Sequence, residues 1–137
     1  MPRTIREQSE RLKAAAAERL PGEVLEVFDR SIQDFLDQGI PADSVKAGDV
    51  LDPFTLDDAT GTPVNLDQIV ESGPAVIVFY RGGWCPYCNL ALRTYQQELL
   101  PQLDAFGARL VAISPQPPDE SLSTVEKAGL ELSLIHI

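Results

Sequence analysis

The amino-acid sequence predicts an α/β fold carrying a helical extension at its N-terminus. Three observations support it. Residues 75–80 and 109–114 are short apolar runs, rich in β-branched and aromatic side chains, of the kind that fills a parallel sheet. Between them Leu92, Tyr95, Leu99, Leu103 and Phe106 recur at steps of three and four, the helical period. The first forty residues carry helical patterning alone. The chain therefore divides into an extension over residues 1–44 and a sheet domain over residues 45–137.

Taken in order, residues 3–20 are charged and alanine-rich, with a thin stripe of Ile5, Leu12, Ala16 and Leu20. Pro21-Gly22 breaks that helix. Leu25, Phe28, Ile32, Phe35 and Leu36 define a second, more amphipathic one. Gly39 and Pro41 end it, as a C-terminal glycine followed by proline should. Such helices are expected to pack on the domain that follows.

Phe54-Thr55-Leu56 and Val64-Asn65-Leu66 flank a polar turn at residues 57–61, a hairpin signal. The run at 75–80 is expected in the middle of the sheet, buried on both faces. Pro101 falls inside the following helix, where it removes a hydrogen bond and introduces a kink. Strand, helix and strand in this order form a right-handed crossover with parallel strands. Ser123 and Glu126 are spaced as a capping box for one more helix, ending at Gly129.

Composition excludes several classes of function. The chain has 137 residues with 11 Lys+Arg against 21 Asp+Glu, a formal net charge of −10. That balance repels phosphate backbones and anionic lipid, so neither nucleic acid nor a membrane surface is an expected partner. The longest apolar run is far shorter than the roughly 20 residues that span a bilayer. The N-terminus carries Arg3, Arg6, Arg11 and Lys13 and no apolar leader core, so a cytoplasmic protein is expected.

Two cysteines are present, Cys85 and Cys88, as one Cys-x-x-Cys. They stand between the first buried strand and the helix, at the carboxyl end of the sheet, where reactive groups of α/β folds gather. Pro86 suits the first helical position because its missing N–H is not needed there. A thiol at a helix N-terminus faces unpaired N–H groups and the positive end of the dipole, which favour thiolate. Arg81, four residues earlier, adds a positive charge, and no acid occurs from 72 to 97. The three-residue offset puts both sulfurs on one helix face, within reach of a disulfide. Cys88 lies on the apolar stripe and is expected to be the more buried of the two. Local logic thus has Cys85 attacking and Cys88 resolving. The structural alternatives are two inert core cysteines or half of a metal site, but one His and two cysteines fall short of a tetrahedral zinc set. No metal and no organic cofactor are expected.

The stretch Phe79-Tyr80-Arg81-Gly82-Gly83-Trp84-Cys85-Pro86-Tyr87-Cys88-Asn89-Leu90 closely resembles the signature of peroxiredoxin-like proteins of the alkyl hydroperoxide reductase/thiol-specific antioxidant (AhpC/TSA) family. The resemblance extends back to Val45 and forward through Ser114-Pro115-Gln116 to Lys127-Ala128-Gly129-Leu130. It implies a thioredoxin-like sheet and a thiol-dependent peroxidase that reduces peroxides through a dithiol–disulfide cycle. A thioredoxin- or glutathione-type reductant would regenerate the dithiol, and a homodimer is among the assemblies it allows. The motif departs from the family's Pro-x-x-x-Thr/Ser-x-x-Cys pattern. Arg81 replaces the proline, Cys85 replaces the Thr/Ser, and Cys88 takes the peroxide-attacking position. Trp84-Cys85 and Cys85-Pro86-Tyr87-Cys88 are instead similar to thioredoxin and glutaredoxin motifs. The nucleophile is therefore Cys88 by family alignment and Cys85 by local logic, with Arg81, Trp84, Pro86 and Tyr87 supporting. A thioredoxin- or glutaredoxin-like disulfide reductase is the main alternative, and a non-catalytic redox sensor the lesser one.

Thioredoxin-like domains continue with a further hairpin and a last helix, so the domain over 45–137 reads as truncated at its C-terminus. Residues 132–137 also read as the in-frame translation of a transposon-end sequencing adaptor, which would place the end of the native sequence near Glu131. The alternative is a short strand, since these residues are apolar and roughly alternating.

Overall fold

In a computed structural model of the protein, residues 4–117 and 133–136 are described, and they fall into two units. One comprises Arg6–Asp52 and the other contains Pro53–Ile137. The first unit is helical. Its α1 (Ile5–Arg19) and α2 (Gly22–Gln38) are separated at Pro21, and the N–H of Gly39 closes α2 on the carbonyl of Phe35. Neither helix contains a buried residue, and Phe28, Ile32, Phe35 and Leu36 of the α2 stripe are exposed.

The second unit opens with the expected hairpin. Strands β1 (Thr55–Asp57) and β2 (Pro63–Asn65) pair antiparallel, with Leu56 opposite Val64. Asp58 accepts from the N–H groups of Thr60 and Thr62 and shapes the turn. Asn65 then caps α3 (Leu66–Val70). It accepts from the Gln68 N–H, while the Gln68 side chain accepts from the Asn65 N–H, a reciprocal capping box.

A three-stranded parallel sheet follows, in the order β3 (Ala75–Phe79), β4 (Arg109–Ser114), β5 (Ser133–His136). Val76 lies opposite Leu110, and Ala112 opposite Leu134. The position of β3 corrects the expectation from its apolar run. Among the described residues β4 is central and β3 is at an edge, and Phe79 is 70% exposed. Both strands are equally apolar in sequence, so the pattern alone does not rank them. Partnering does: β4 is flanked on both sides, and Leu110, Val111, Ala112 and Ile113 are all buried. The C-terminal residues Ser133–His136 form β5, where Leu134 and Ile135 are buried.

Apolar side chains cover the sheet on both faces. Val76, Val78, Tyr80, Leu110, Ala112 and Leu134 pack against Leu92, Tyr95, Leu99 and Leu103 of the crossover helix. On the other face Ala75, Ile77, Val111, Ile113 and Ile135 meet Leu56, Val64 and Ile69. Each fully buried aliphatic side chain contributes roughly 1.5–3 kcal/mol.

The crossover helix is interrupted as Pro101 requires. α4 (Pro86–Thr94) passes through a π turn (Tyr95–Leu99) into α5 (Leu100–Ala105). Within the turn the Leu100 N–H reaches back five residues to the carbonyl of Tyr95. The wider loop accommodates the proline ring, which would otherwise meet the carbonyl of Gln97. The capping box at Ser123 and the Lys127-to-Leu130 stretch lie outside the described residues.

Candidate active site

The backbone between β3 and α4 sets the site. The Tyr80 N–H donates to the carbonyl of Ile113 and prolongs the β3–β4 pairing by one bond. The chain then turns at Gly82 and Gly83, and the Cys85 N–H closes the turn on the carbonyl of Gly82. Gly82 has φ +141, and a Cβ there would lie 2.7 Å from both the Gln116 Oε1 and the Trp84 Nε1. Only glycine fits such a position.

Cys85 is the N-cap of α4, and Pro86 stands in its first turn. The Cys85 Sγ accepts the Cys88 N–H at 3.4 Å and the Arg81 Nη2–H at 3.1 Å. The Arg81 guanidinium also lies over the Trp84 ring, 5.3 Å from its centroid, a cation–π contact. Both thiols are free, so this is the reduced dithiol.

Cys85 is wholly buried, whereas Cys88 is half-buried and packs against the core beside Leu92. This reverses the expected order of burial. The apolar stripe does draw Cys88 inward, but as N-cap the Cys85 side chain turns back toward the Cys88 N–H and the Arg81 guanidinium. The two thiols differ in acidity as well. Burial pushes Cys85 up, but hydrogen bonds from the Cys88 thiol and N–H and from Arg81 outweigh it, and the net shift is downward. Cys88 is raised, by burial first and then by the proton it holds toward Cys85. The charge asymmetry thus makes Cys85 the better thiolate.

Arg81, Trp84, Cys85 and Cys88 therefore come together as one cluster. Pro86 contributes through the start of the helix. Tyr87 is partly exposed on the first turn of α4.

Two residues without an assigned role in the sequence reading complete the arrangement. The Gly83 N–H donates to the Gln116 Oε1, and the Asn89 Nδ2 donates to the Gly83 carbonyl at 2.7 Å. Both backbone polar groups of Gly83, on two successive peptides, are thereby held, from β4's far end and from α4. The signal available in the sequence was placement: Gln116 follows β4 at the same sheet edge as Cys85. Among the described residues no group of three or more His, Cys, Asp or Glu could hold a metal ion, and no helix is long and apolar enough to cross a membrane.

Comparison with known proteins agrees with this geometry. Residues 47–136 match the AhpC/TSA family. A Mycobacterium tuberculosis protein named as a candidate peroxiredoxin, found in two strains, is 33% identical over 91 residues, or 66% of this chain. The chain spans 58% of that relative's length. The crystal structure of peroxidoxin BcpB from Mycobacterium tuberculosis superposes with a TM-score of 0.65 and 28% identity, covering 68% of this chain and 60% of the other. A thioredoxin domain of a thiol-disulfide oxidoreductase from Bacteroides vulgatus shares the fold at 18% identity. Its TM-score is 0.56, over 69% of this chain and 66% of the other.

Proposed function

The chain belongs to the AhpC/TSA family, and from that premise we propose that it is a thiol-dependent peroxidase in which Cys85 attacks and Cys88 resolves. The observation that carries this assignment is the 3.1 Å hydrogen bond from the Arg81 guanidinium to the Cys85 sulfur, made at a helix N-terminus. A positive charge and an N–H directed at one sulfur favour its thiolate, the attacking form.

The cycle balances with these two residues and two external reactants. The Cys85 thiolate attacks the terminal oxygen of a hydroperoxide. An S–O bond forms, the O–O bond breaks, and the alkoxide or hydroxide released takes a proton from solvent. Cys85 is then a sulfenic acid, oxidised by two electrons. The Cys88 sulfur displaces its oxygen, an S–S bond forms, and water leaves with the Cys88 proton. A thioredoxin- or glutathione-type thiol donor returns two electrons and two protons and restores both thiols. A reducing compartment such as the cytoplasm suits that cycle.

One observation favours a second reading. Cys85 occupies the place where the family pattern has Thr or Ser, so Cys85 could exchange with protein or glutathione disulfides instead. Burial argues for the first. A wholly buried thiol needs less opening to admit a small peroxide than a protein disulfide.

The deciding experiment follows thiol loss in the reduced protein under pseudo-first-order peroxide. A rate far above that of a free thiol, at matched thiolate concentration, is expected. A rate equal to the free thiol's, with turnover of disulfide substrates, would replace the peroxidase reading with the reductase.

A further inference from the structure

We propose that Gln116 is a positioning residue of the dithiol site, holding the Gly82–Gly83 turn so that the Arg81 guanidinium rests against the Cys85 sulfur. The inference rests on the reading of Cys85 as nucleophile and deepens it.

Its basis is geometric. Gln116 is 33 residues away from Gly83 in sequence, and its side chain is buried, with 7% of the residue exposed. The Oε1 accepts the Gly83 N–H, and it lies where a Cβ on Gly82 would be. Ser114, itself fully buried, fixes the backbone of Gln116 by accepting its N–H at 3.0 Å. Asn89 holds the carbonyl of the same residue, on the next peptide. The clamped residue, Gly83, lies between Arg81 and Cys85, four residues apart, and their 3.1 Å contact is the one the turn must preserve. Buried amide side chains are costly unless they bond, and the partner used here is a loop backbone beside the reactive sulfur. The groups acting on Cys85 are Arg81 and Cys88, and Gln116 adds no charge of its own.

The test compares Gln116→Met, which removes the acceptor at similar volume, with Arg81→Met and the double variant. In each reduced full-length chain, the rate of Cys85 alkylation by iodoacetamide is followed from pH 5 to pH 10, with the modified site assigned by mass. Gln116→Met is expected to slow Cys85 alkylation at pH 7 about five- to tenfold and to move its midpoint upward, the size expected when a guanidinium leaves hydrogen-bond reach. In the Arg81→Met background the same change is expected to alter the rate less than about twofold, because the group Gln116 acts through is gone.

An unchanged profile in Gln116→Met overturns the proposal, as does an equal slowing in both backgrounds. Should the Met variant not fold, Gln116→Asn keeps the polarity, withdraws the acceptor by one methylene and is read the same way. The peroxidase reading fails separately. A wild-type peroxide rate equal to a free thiol's would overturn that reading and leave the alkylation comparison intact.

Discussion

The backbone N–H of Cys88 donates to the sulfur of Cys85, so in the proposed cycle the resolving residue also hydrogen-bonds the attacking sulfur that caps its helix. Their roles are therefore expected to separate cleanly on substitution. Cys85→Ser abolishes the fast reaction with peroxide. Cys88→Ser keeps the Cys88 N–H and still reacts, but stops at a sulfenic acid on Cys85 with no intramolecular disulfide. Intact mass after one equivalent of peroxide distinguishes the two. Fast oxidation of Cys85→Ser would transfer the attacking role to Cys88.

Removing the guanidinium isolates its share. Arg81→Met is expected to raise the Cys85 titration midpoint, because the hydrogen bond and the positive charge that favour its thiolate are both lost. Peroxide consumption at pH 7 should fall about tenfold. Absorbance of the thiolate near 240 nm across a pH series checks the upward direction, and stopped-flow oxidation the fall in rate.

The opposite shifts of the two thiols set the pH dependence of the reduced protein. Ionisation of an acid is favoured where its value is lowered, so Cys85 gains its charge below the ordinary thiol range. Cys88, raised, gains it above that range. Alkylation followed by site-resolved mass should therefore give two well-separated midpoints, with Cys85 modified first as pH rises. A single shared midpoint would contradict the asymmetry of the site.

Stability should respond differently to two substitutions near the thiols. Leu92→Ala, on the buried face of α4 at 1% exposure, is expected to cost about 2–5 kcal/mol through lost burial and the cavity left behind. Gly82→Ala brings a Cβ against Gln116 and Trp84 at positive φ, and a cost of about 1–3 kcal/mol is expected. Only the second should also slow Cys85 alkylation. Denaturant melts of both reduced variants beside their alkylation rates provide the comparison.

What was legible in the sequence follows local periodicity. The hairpin around Asp58, the crossover between the runs beginning at Ala75 and Arg109, the break at Pro101 and the placing of Cys85 at a helix start all follow from turn chemistry and spacing. Arg81 was legible because four residues separate it from Cys85 along one short loop. The rank of β3 and β4 was not, since two equally apolar strands differ only in their neighbours. The deeper burial of Cys85 was not, since it follows from how an N-cap side chain turns back rather than from the stripe that includes Cys88. Gln116 was the hardest to see. A polar side chain that bonds a loop backbone 33 residues away leaves no repeat in the sequence.

The π turn at Tyr95–Leu99 means that the crossover helix contains slack. Reading α4 and α5 as one rod, the turn takes up an extra residue and rotates everything after it, which lets Leu99 and Leu100 both reach the core. Shortening the chain by one residue there, with Pro101 also replaced by a residue that carries an N–H, should leave an ordinary α-helix, with the dithiol half undisturbed. The same shortening between Pro86 and Thr94 would swing Leu92 and the rest of the stripe by about a quarter turn relative to Cys85. Changes in length are thus tolerated at one joint of this helix and forbidden one turn earlier, so the chemistry at its head is insulated from variation at its foot.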